Sequence, residues 1–443
     1  MAPDTFTIDV ADALGGPDWL RRRRVGAAEV AVSMSLPTAE AEVWRYSRIG
    51  DLDLARYTPI DATEVVVGDD PTDGSLPGPV RELLAELGAV SGVVVVRDGR
   101  VVVRLLDEAA AAQGVVLGVA GDGPEGVLGA AASDPSDVFA AWNDAFAPDP
   151  VVLDVPRGVE VAHPVVVVQH VGAAGSLTLP RLSVRVGEDA GVSVIEVALS
   201  DDVEALVAPV TELSVGAAAR VRHATLQDLG PKVWQLGTFV ASVGQDATLD
   251  AGVAALGGSY ARTRLDCRLV GRGATGNLSS VYFGDGDQML DLRTFQEHRA
   301  PDTTSNLLFK GAVADRSHSV YTGLIRITPE GRGSNAFQTN RNLKLSEHAW
   351  AESVPNLEIE HNDVRCSHAS TVGPVDEEQR FYLESRGVPS QVAERLVVAG
   401  FFGEVLDALA VPALVPAVRR RLDALLDRQV GAAPEGSTVG AAS

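Results

Sequence analysis

The chain has 443 residues, of which 46% are apolar, 22% are charged and only 5% are aromatic. This composition is typical of a globular protein, and the length predicts about two to four domains. The formal net charge of −23 disfavours binding to nucleic acid or to an anionic membrane, because both carry negative charge themselves. We therefore expect neither a nucleic acid nor a membrane among the partners.

The sequence also lacks the features of a secreted or membrane-spanning protein. The basic run Arg21–Arg24 is followed by no apolar stretch, and we interpret it as a solvated patch beside a short helix. The apolar stretch from Ala408 to Val418 contains two prolines and is far shorter than the ~20 residues of a spanning helix. Two cysteines, Cys267 and Cys366, are too few for a disulfide framework or a four-cysteine zinc site. These features predict a cytoplasmic protein.

Residues 1–148 are predicted to form a mixed, helix-rich domain. Valine-rich runs on both sides of Asp98-Gly99 predict a β-hairpin over 93–103. Capping residues, acidic first turns and apolar patterning predict four helices. One begins near Pro17, a second begins at Thr38, and the other two cover 79–87 and 136–146.

Residues 149–372 are predicted to form a β core, because apolar residues alternate with a period of two. Turns of the form Gly-x-x-Ala begin at residues 187, 216, 244 and 271, at intervals of 29, 28 and 27 residues. We expect a fifth copy at Gly311–Ala314, 40 residues further on. A nearly constant period of this length indicates stacked β coils, so a β-helix is favoured and a sandwich of long hairpins is the alternative.

Residues 373–430 are predicted to form a helical domain that follows the β core. Asp376 and Gln379 predict a capped helix whose apolar face is Phe381–Leu383 and which ends at Gly387. Further helices are expected from Ser390 and around residues 414–426. The Gly- and Ala-rich tail, 431–443, is predicted to be disordered.

One segment matches a dinucleotide-binding motif, but its context argues against that function. Residues 271–276 have the pattern Gly-x-Gly-x-x-Gly, yet the following residues read as a strand, so no helix N-terminus would hold a pyrophosphate. No P-loop pattern occurs in the sequence either. We therefore expect this chain to bind no nucleotide.

The most informative chemical pair is Cys366 and His368. On a strand, residues two apart face the same side, so the thiol and the imidazole should project together. These groups suit zinc, iron or copper, but two ligands do not complete a tetrahedral site, so a metal would need further ligands from another chain. The alternative is that Cys366 is a small core residue and His368 a hydrogen-bonded edge residue. Cys267, between Leu265 and Leu269, is predicted to lie in the core.

Further histidines occur in the last third of the chain. Carboxylates and imidazoles together can bind iron, and scattered polar residues on the outer face of the β core explain the same pattern equally well. These residues are His298, His318, His348 and His361.

Several segments closely resemble the SufB/SufD family of iron–sulfur cluster assembly scaffolds. The resemblance is dense from about residue 290 to 406 and is carried by the segments 291–298, 333–340, 355–359, 362–368 and 376–387. Within the family, the chain looks more like SufD, since Ala369 stands where SufB-like sequences tend to have Glu.

The resemblance implies a right-handed parallel β-helix flanked by N-terminal and C-terminal helical domains. It implies a non-catalytic scaffold that pairs with a SufB-like paralogue through the β-helix ends and docks a SufC-like ATPase on its C-terminal helices. Cys366 and His368 would then lie near the subunit interface and share transient iron or a nascent iron–sulfur cluster with the partner. The persulfide-accepting cysteine and the flavin are attributed to the SufB side, so we place neither here.

Candidate partner-binding residues lie in the C-terminal helices. Phe401 and Phe402 are large for an exposed surface, so either they fill the C-terminal core or one of them anchors the ATPase. The full set is Phe381, Tyr382, Arg386, Phe401 and Phe402.

Two other functions fit parts of the pattern. The chain could be the SufB-like paralogue that receives sulfur itself. A β-helix enzyme acting on carbohydrates is the other alternative, but it would need paired carboxylates across an aromatic-rich groove, and aromatics make up only 5% of this chain.

Overall fold

The structure is a computed structural model that describes residues 5–60, 67–72, 74–132 and 134–431. Apart from Gly431, the tail predicted to be disordered lies outside the described residues. Short 3₁₀ helices cover Glu42–Trp44, Ile49–Asp51, Leu54–Arg56 and Pro412–Leu414. The α-helices of the described residues are α1 (Ile8–Ala13), α2 (Asp18–Ser33), α3 (Gly78–Leu87), α4 (Glu108–Ala112), α5 (Val138–Phe146), α6 (Glu377–Glu384), α7 (Ser390–Asp407) and α8 (Val415–Gly431).

Strands dominate the middle of the chain. They are β1 (Thr58–Pro59), β2 (Gly92–Arg97), β3 (Arg100–Leu106), β4 (Val116–Val119), β5 (Val151–Val155), β6 (Val165–Val171), β7 (Ser176–Thr178), β8 (Arg181–Val186), β9 (Gly191–Ser200), β10 (Ala205–Val207), β11 (Val210–Val215), β12 (Arg220–Asp228), β13 (Val233–Val243), β14 (Thr248–Ala255), β15 (Tyr260–Leu269), β16 (Thr275–Gly284), β17 (Met289–His298), β18 (Thr304–Val313), β19 (His318–Ile327), β20 (Asn335–Lys344), β21 (Trp350–Ile359) and β22 (Arg365–Pro374).

These strands form two sheets that face each other in a β-solenoid. Sheet A runs in the order β4-β5-β8-β11-β13-β15-β17-β19-β21, with the short strands β1, β7 and β10 beside it. Sheet B runs in the order β3-β2-β6-β9-β12-β14-β16-β18-β20-β22. From β5 and β6 to β21 and β22, each coil adds one parallel strand to each sheet, which gives eight coils. The predicted β-helix is confirmed, and the sandwich of hairpins is wrong.

The repeated Gly-x-x-Ala turns are the corners between sheet A and sheet B. Gly216 lies so close to the preceding corner that a Cβ atom there would be 2.7 Å from the carbonyl oxygen of Val186. The third residue, Ala218, has a φ of +57°, and the last, Ala219, is fully buried. The period of the sequence therefore reflects the close stacking of one corner on the next.

The predicted fifth corner at Gly311–Ala314 is wrong. Gly311 lies inside β18, where the aromatic ring of Tyr282 covers it, so a Cβ atom at this position would overlap the ring. The actual corner of this coil is at residues 299–303, where Asp302 has the left-handed φ of +58°.

The N-terminal domain packs on the outer face of sheet A, and one predicted helix is absent there. Instead of a helix from Thr38, the chain forms only a 3₁₀ turn at Glu42–Trp44. Arg262 on sheet A donates a 2.6 Å hydrogen bond to the carbonyl oxygen of Val43, and its guanidinium stacks on the ring of Trp44. Tertiary hydrogen bonds thus replace the local ones that a helix would make.

In the basic run of α2, Arg23 and Arg24 are packing residues, so its interpretation as a solvated patch is wrong for these two, whereas Arg22 is exposed as predicted. Arg24 is only 3% exposed and donates to the carbonyl oxygens of Gly15 at 2.8 Å and Ala147 at 3.0 Å. Arg23 donates to the carboxylate of Asp144 on α5 at 2.6 Å. These side chains fix α2 against the end of α5.

The C-terminal helices pack on the outer face of sheet B. Buried residues of α7 and α8 form one apolar core with residues of sheet B such as Val281 and Phe283. A separate core, built mainly of Val, Leu and Ala, fills the space between the two sheets. In the described part of the chain, no helix is both long and apolar enough to cross a membrane.

Candidate functional site

The last coil of the solenoid leaves its inward face partly uncovered. β21 pairs with β19 and β22 pairs with β20, and no described strand extends either sheet beyond them. The inward-facing side chains Ile359 and Val372 are 45% and 42% exposed. We call this surface, formed by β21 and β22, the open end.

Cys366 and His368 lie together at the open end. Both belong to β22 and face inward, in register with Ala336 and Gln338 of β20. Cys366 is half-buried and packs in a small apolar cluster that contains Leu357, whereas His368 is exposed. The structure therefore places the predicted thiol and imidazole side by side on an edge strand.

The electrostatics of this pair favour a protonated thiol in the free chain. Burial raises the pKa of the Cys366 thiol, so the thiolate form needs a metal ion or a positive partner group to stabilise it. Among the described residues, no group of three or more His, Cys, Asp or Glu side chains is arranged to hold a metal ion. The pair can supply two ligands to a site, and the others must come from elsewhere.

The second cysteine is a core residue, as predicted. Cys267 is fully buried between the sheets, and burial raises the pKa of its thiol to about 12. Such a thiol is inert as a nucleophile and as a metal ligand.

His298 does not lie on the outer face of the solenoid. It is fully buried inside, with Nδ1 2.7 Å from Thr303 Oγ1 and Nε2 2.9 Å from Ser305 Oγ. Burial lowers the pKa of its imidazole to about 4. Both ring nitrogens are occupied by hydroxyl groups, so this histidine has a structural role.

The other histidines lie at separate places around the last coils. His318 packs against the ring of Trp350, with centroids 5.5 Å apart, and burial lowers its pKa. His361 accepts a 3.0 Å hydrogen bond from the backbone N–H of Asp363 in the corner before β22. His348 is exposed in the corner before β21.

A groove of about 930 Å³ separates α6 from α7 beside the ends of β20 and β22. On α6, Phe381 is 69% exposed and Tyr382 is 56% exposed, so the predicted apolar face of this helix points away from the core. The guanidinium of Arg386 lies 3.7 Å above the ring of Tyr382. The floor of the groove is mainly apolar and includes Leu343, Leu383, Leu396, Val397 and Phe401.

The two adjacent phenylalanines of α7 have different environments. Phe402 is 1% exposed and fills the core between α7 and sheet B, which is the first of the two alternatives given for this pair. Phe401 is half-buried at the edge of the groove, 4.8 Å from the ammonium of Lys310. Of the two, only Phe401 presents its ring to the groove.

The sequence analysis missed the exposed apolar residues of the open end. Ile359 and Val372 were not singled out, although the strand-like alternation continues to the end of β22 without a charged residue facing inward. A solenoid usually covers its last coil with a polar or helical cap, so this alternation was the available signal.

Comparisons with known proteins agree on one family. The family described as "SUF system FeS cluster assembly, SufBD core domain" matches residues 169–401. An iron–sulfur cluster assembly SufBD family protein of Mycobacterium tuberculosis is 35% identical over 309 residues, which cover 67% of this chain and 73% of that protein. The iron–sulfur cluster assembly protein SufD of Escherichia coli is 29% identical over 395 residues, covering 87% and 88%. SufD of Bacillus subtilis is 30% identical over 285 residues, covering 63% of each chain. The chain therefore belongs to the SufB/SufD family of iron–sulfur cluster assembly proteins, and within that family it is SufD-like.

Proposed function

We propose that this chain is a non-catalytic scaffold subunit that pairs with a SufB-like paralogue and docks a SufC-like ATPase in the cytoplasm. The observation that carries the proposal is the position of Cys366 and His368 on the terminal strand of an uncovered coil. A thiol and an imidazole at such an edge become part of a complete ligand set only when a second subunit covers them.

The open end suits a paralogue with the same architecture. Each of its two strands has one edge that no described strand pairs with, and its inward face exposes Ile359 and Val372. A second solenoid end can pair with these strands and bury these side chains at once. The iron or nascent cluster is then cargo that forms at the junction, with Cys366 and His368 as the ligands from this side.

The C-terminal helices have the features expected of a docking surface for the ATPase. Phe381 and Tyr382 on α6 and Arg386 in the turn after it are exposed together, and Phe401 lines the adjoining groove. Exposed aromatic and arginine side chains beside an apolar groove are typical of residues that dominate the binding energy at interfaces. In this proposal the partner binds ATP, and this chain transmits the motion of the partner to the solenoid.

Co-expression with SufB-like and SufC-like partners tests the proposal. We expect a stable complex that stimulates ATP hydrolysis, and recovery of this chain as a free monomer would contradict it. Val372→Arg should abolish pairing with the paralogue, because it places a charge in the open end. Val270→Arg is the matched control, since Val270 is also 42% exposed but lies after β15 in the middle of the solenoid.

The SufB-like role remains the second candidate, and one observation favours it. Cys366 is the accessible thiol of the chain, since Cys267 is sealed in the core. In this alternative, sulfur is transferred directly onto Cys366. Mass spectrometry after incubation with a cysteine desulfurase separates the two roles, because a persulfide on Cys366 is expected only in the SufB-like role.

A further inference from the structure

A column of large side chains runs along the outer face of sheet A to the open end. Its members are in register on consecutive strands: Trp234, Tyr260, Met289, His318 and Trp350. The ring centroids of Trp234 and Tyr260 are 4.9 Å apart, and those of His318 and Trp350 are 5.5 Å apart. Each member before Trp350 therefore has the side chain of the next strand beside it.

Trp350 is the last member of this column. It is the first residue of β21, and no described strand pairs with the far edge of β21. The side chains of Tyr260 and Met289 are almost fully buried beneath the N-terminal domain, whereas the Trp350 ring is only half-buried. The outer face of the sheet therefore ends, as the interior does, in an apolar side chain that is incompletely covered.

One further ring lies against Trp350, and it comes from the N-terminal domain. Tyr46 makes a T-shaped contact with Trp350, with centroids 6.2 Å apart, and is itself 41% exposed. The buried Arg293 of β17 holds this segment on the sheet by donating a 2.6 Å hydrogen bond to the carbonyl oxygen of Arg45. The segment therefore reaches the terminal strand of sheet A at Tyr46 and leaves two neighbouring aromatic rings beside the open end.

The backbone at Tyr46 is unfavourable for a residue that has a side chain. Arg45 has a φ of −57° and a ψ of 140°, and Tyr46 has a φ of +65°. The N–H of Ser47 donates to the carbonyl oxygen of Trp44 at 3.1 Å. These are the features of a type II turn, whose third residue is normally glycine or asparagine. A tyrosine is disfavoured at this position, which indicates that its ring has a role that glycine cannot fill.

We propose that Tyr46 and Trp350 form an outer contact surface for the SufB-like paralogue, in addition to the inward-facing Cys366 and His368. When a strand of the paralogue pairs with β21, the column on sheet A continues, and its next side chain lies about 4.8 Å from Trp350. An apolar or aromatic residue at that position covers the Trp350 ring and contacts Tyr46. Aromatic rings in such places carry much of the binding energy at interfaces. The identity of the partner rests on the proposed function.

Tyr46→Gly in the full chain tests this surface. Glycine adopts the turn without strain, so the urea midpoint of the isolated variant should equal or exceed that of the unsubstituted chain. Its affinity for the SufB-like paralogue, measured by calorimetry, should fall about 10-fold or more, because the ring is lost. Tyr46→Phe keeps the ring and should restore the affinity. An affinity of the glycine variant equal to that of the unsubstituted chain would overturn the proposal.

Asp189→Gly is the matched control. Asp189 also has a left-handed φ, of +54°, and an exposed side chain, but it lies in the corner between β8 and β9, towards the other end of the solenoid. This variant should bind the paralogue normally, and an equal loss of affinity in both glycine variants would refute a specific role for Tyr46. If Val372→Arg abolishes binding and Tyr46→Gly does not change it, the outer surface is wrong and the proposed function stands. If the unsubstituted chain itself does not bind the paralogue, the proposed function is wrong and the outer surface with it.

Discussion

The ammonium of Lys310 lies 2.9 Å from the backbone carbonyl oxygen of Phe401 and joins the C-terminal helices to the solenoid. Lys310 is on β18, is only 4% exposed, and also pairs with Glu404 of α7 at 2.5 Å. The hydrogen bond from the Lys310 ammonium to the Glu404 carboxylate lowers the pKa of that carboxyl. One side chain of sheet B therefore holds the helix that lines the groove.

Lys310→Ala should loosen α7 from sheet B. The substitution removes the buried ammonium that links the Phe401 carbonyl and the Glu404 carboxylate to sheet B, so we expect the free energy of unfolding to fall by about 1–3 kcal/mol. Urea unfolding measures the change, and limited proteolysis should cut the C-terminal helices faster. Lys232→Ala is the control, because Lys232 makes an exposed ion pair with Asp202. Equal effects of both substitutions would contradict the role of Lys310.

Phe381→Ala should weaken binding of the ATPase without destabilising the chain. The ring is 69% exposed, so its removal costs little in the free protein, but it removes an aromatic contact worth roughly 1–2 kcal/mol or more at an interface. Calorimetry with the SufC-like partner measures the loss of affinity. Phe337→Ala is the control, since Phe337 is 44% exposed on the outer face of β20. Unchanged affinity in the Phe381 variant would remove α6 from the docking surface.

His368→Ala should leave assembly of the complex intact and lower its iron content. The side chain is exposed, so its loss removes a proposed ligand and no core contact. Metal analysis of the purified complex after iron loading measures the effect. His348→Ala provides the comparison, because His348 is also exposed but lies in the corner before β21. Iron loading equal to that of the unsubstituted complex would rule out the ligand role.

The buried His298 should make stability depend on pH. Its folded pKa of about 4 lies below the unfolded value of about 6.5, so the unfolded chain binds the extra proton as the pH falls between these values. We expect the free energy of unfolding to decrease between pH 7 and pH 4 by on the order of 2 kcal/mol through this residue.

His298→Gln should flatten this pH dependence, which denaturant unfolding at several pH values measures. The denaturant m-value should be equal in the two proteins, as a control that the same surface is exposed on unfolding. Parallel curves for the two proteins would show that His298 does not cause the dependence.

The sequence predicted the solenoid because its corners follow a local rule. A residue such as Gly216 must lack a side chain wherever one corner stacks closely on the last, so the motif recurs with each coil. The Gly-x-x-Ala pattern that begins at Gly311 has another origin, because this glycine makes room for the ring of Tyr282 inside a strand. The Gly-x-x-Ala motif alone therefore cannot distinguish a glycine that stacks on the preceding corner from a glycine that lies against an aromatic ring.

Features set by distant residues could not be predicted. The segment around Val43 forms a 3₁₀ turn and no α-helix, because Arg262, 219 residues away, donates a hydrogen bond to its carbonyl oxygen. Phe402 lies on the same face of α7 as the buried Val398 and Val405, whereas Phe401 lies at the edge of that face, so the packing of α7 on sheet B separates two adjacent identical residues. By contrast, the shared face of Cys366 and His368 followed directly from the geometry of a strand.

The uncovered last coil also bears on how the protein must be produced. Coils in a solenoid are stabilised by their neighbours, so the end without a neighbour is where fraying starts. The edges of β21 and β22, beside which Ile359 and Val372 are exposed, are also a template on which identical chains can stack into fibres. In the proposed complex, synthesis of this subunit in excess of its paralogue would therefore leave open ends that can aggregate, and matched synthesis of the two would keep these ends covered.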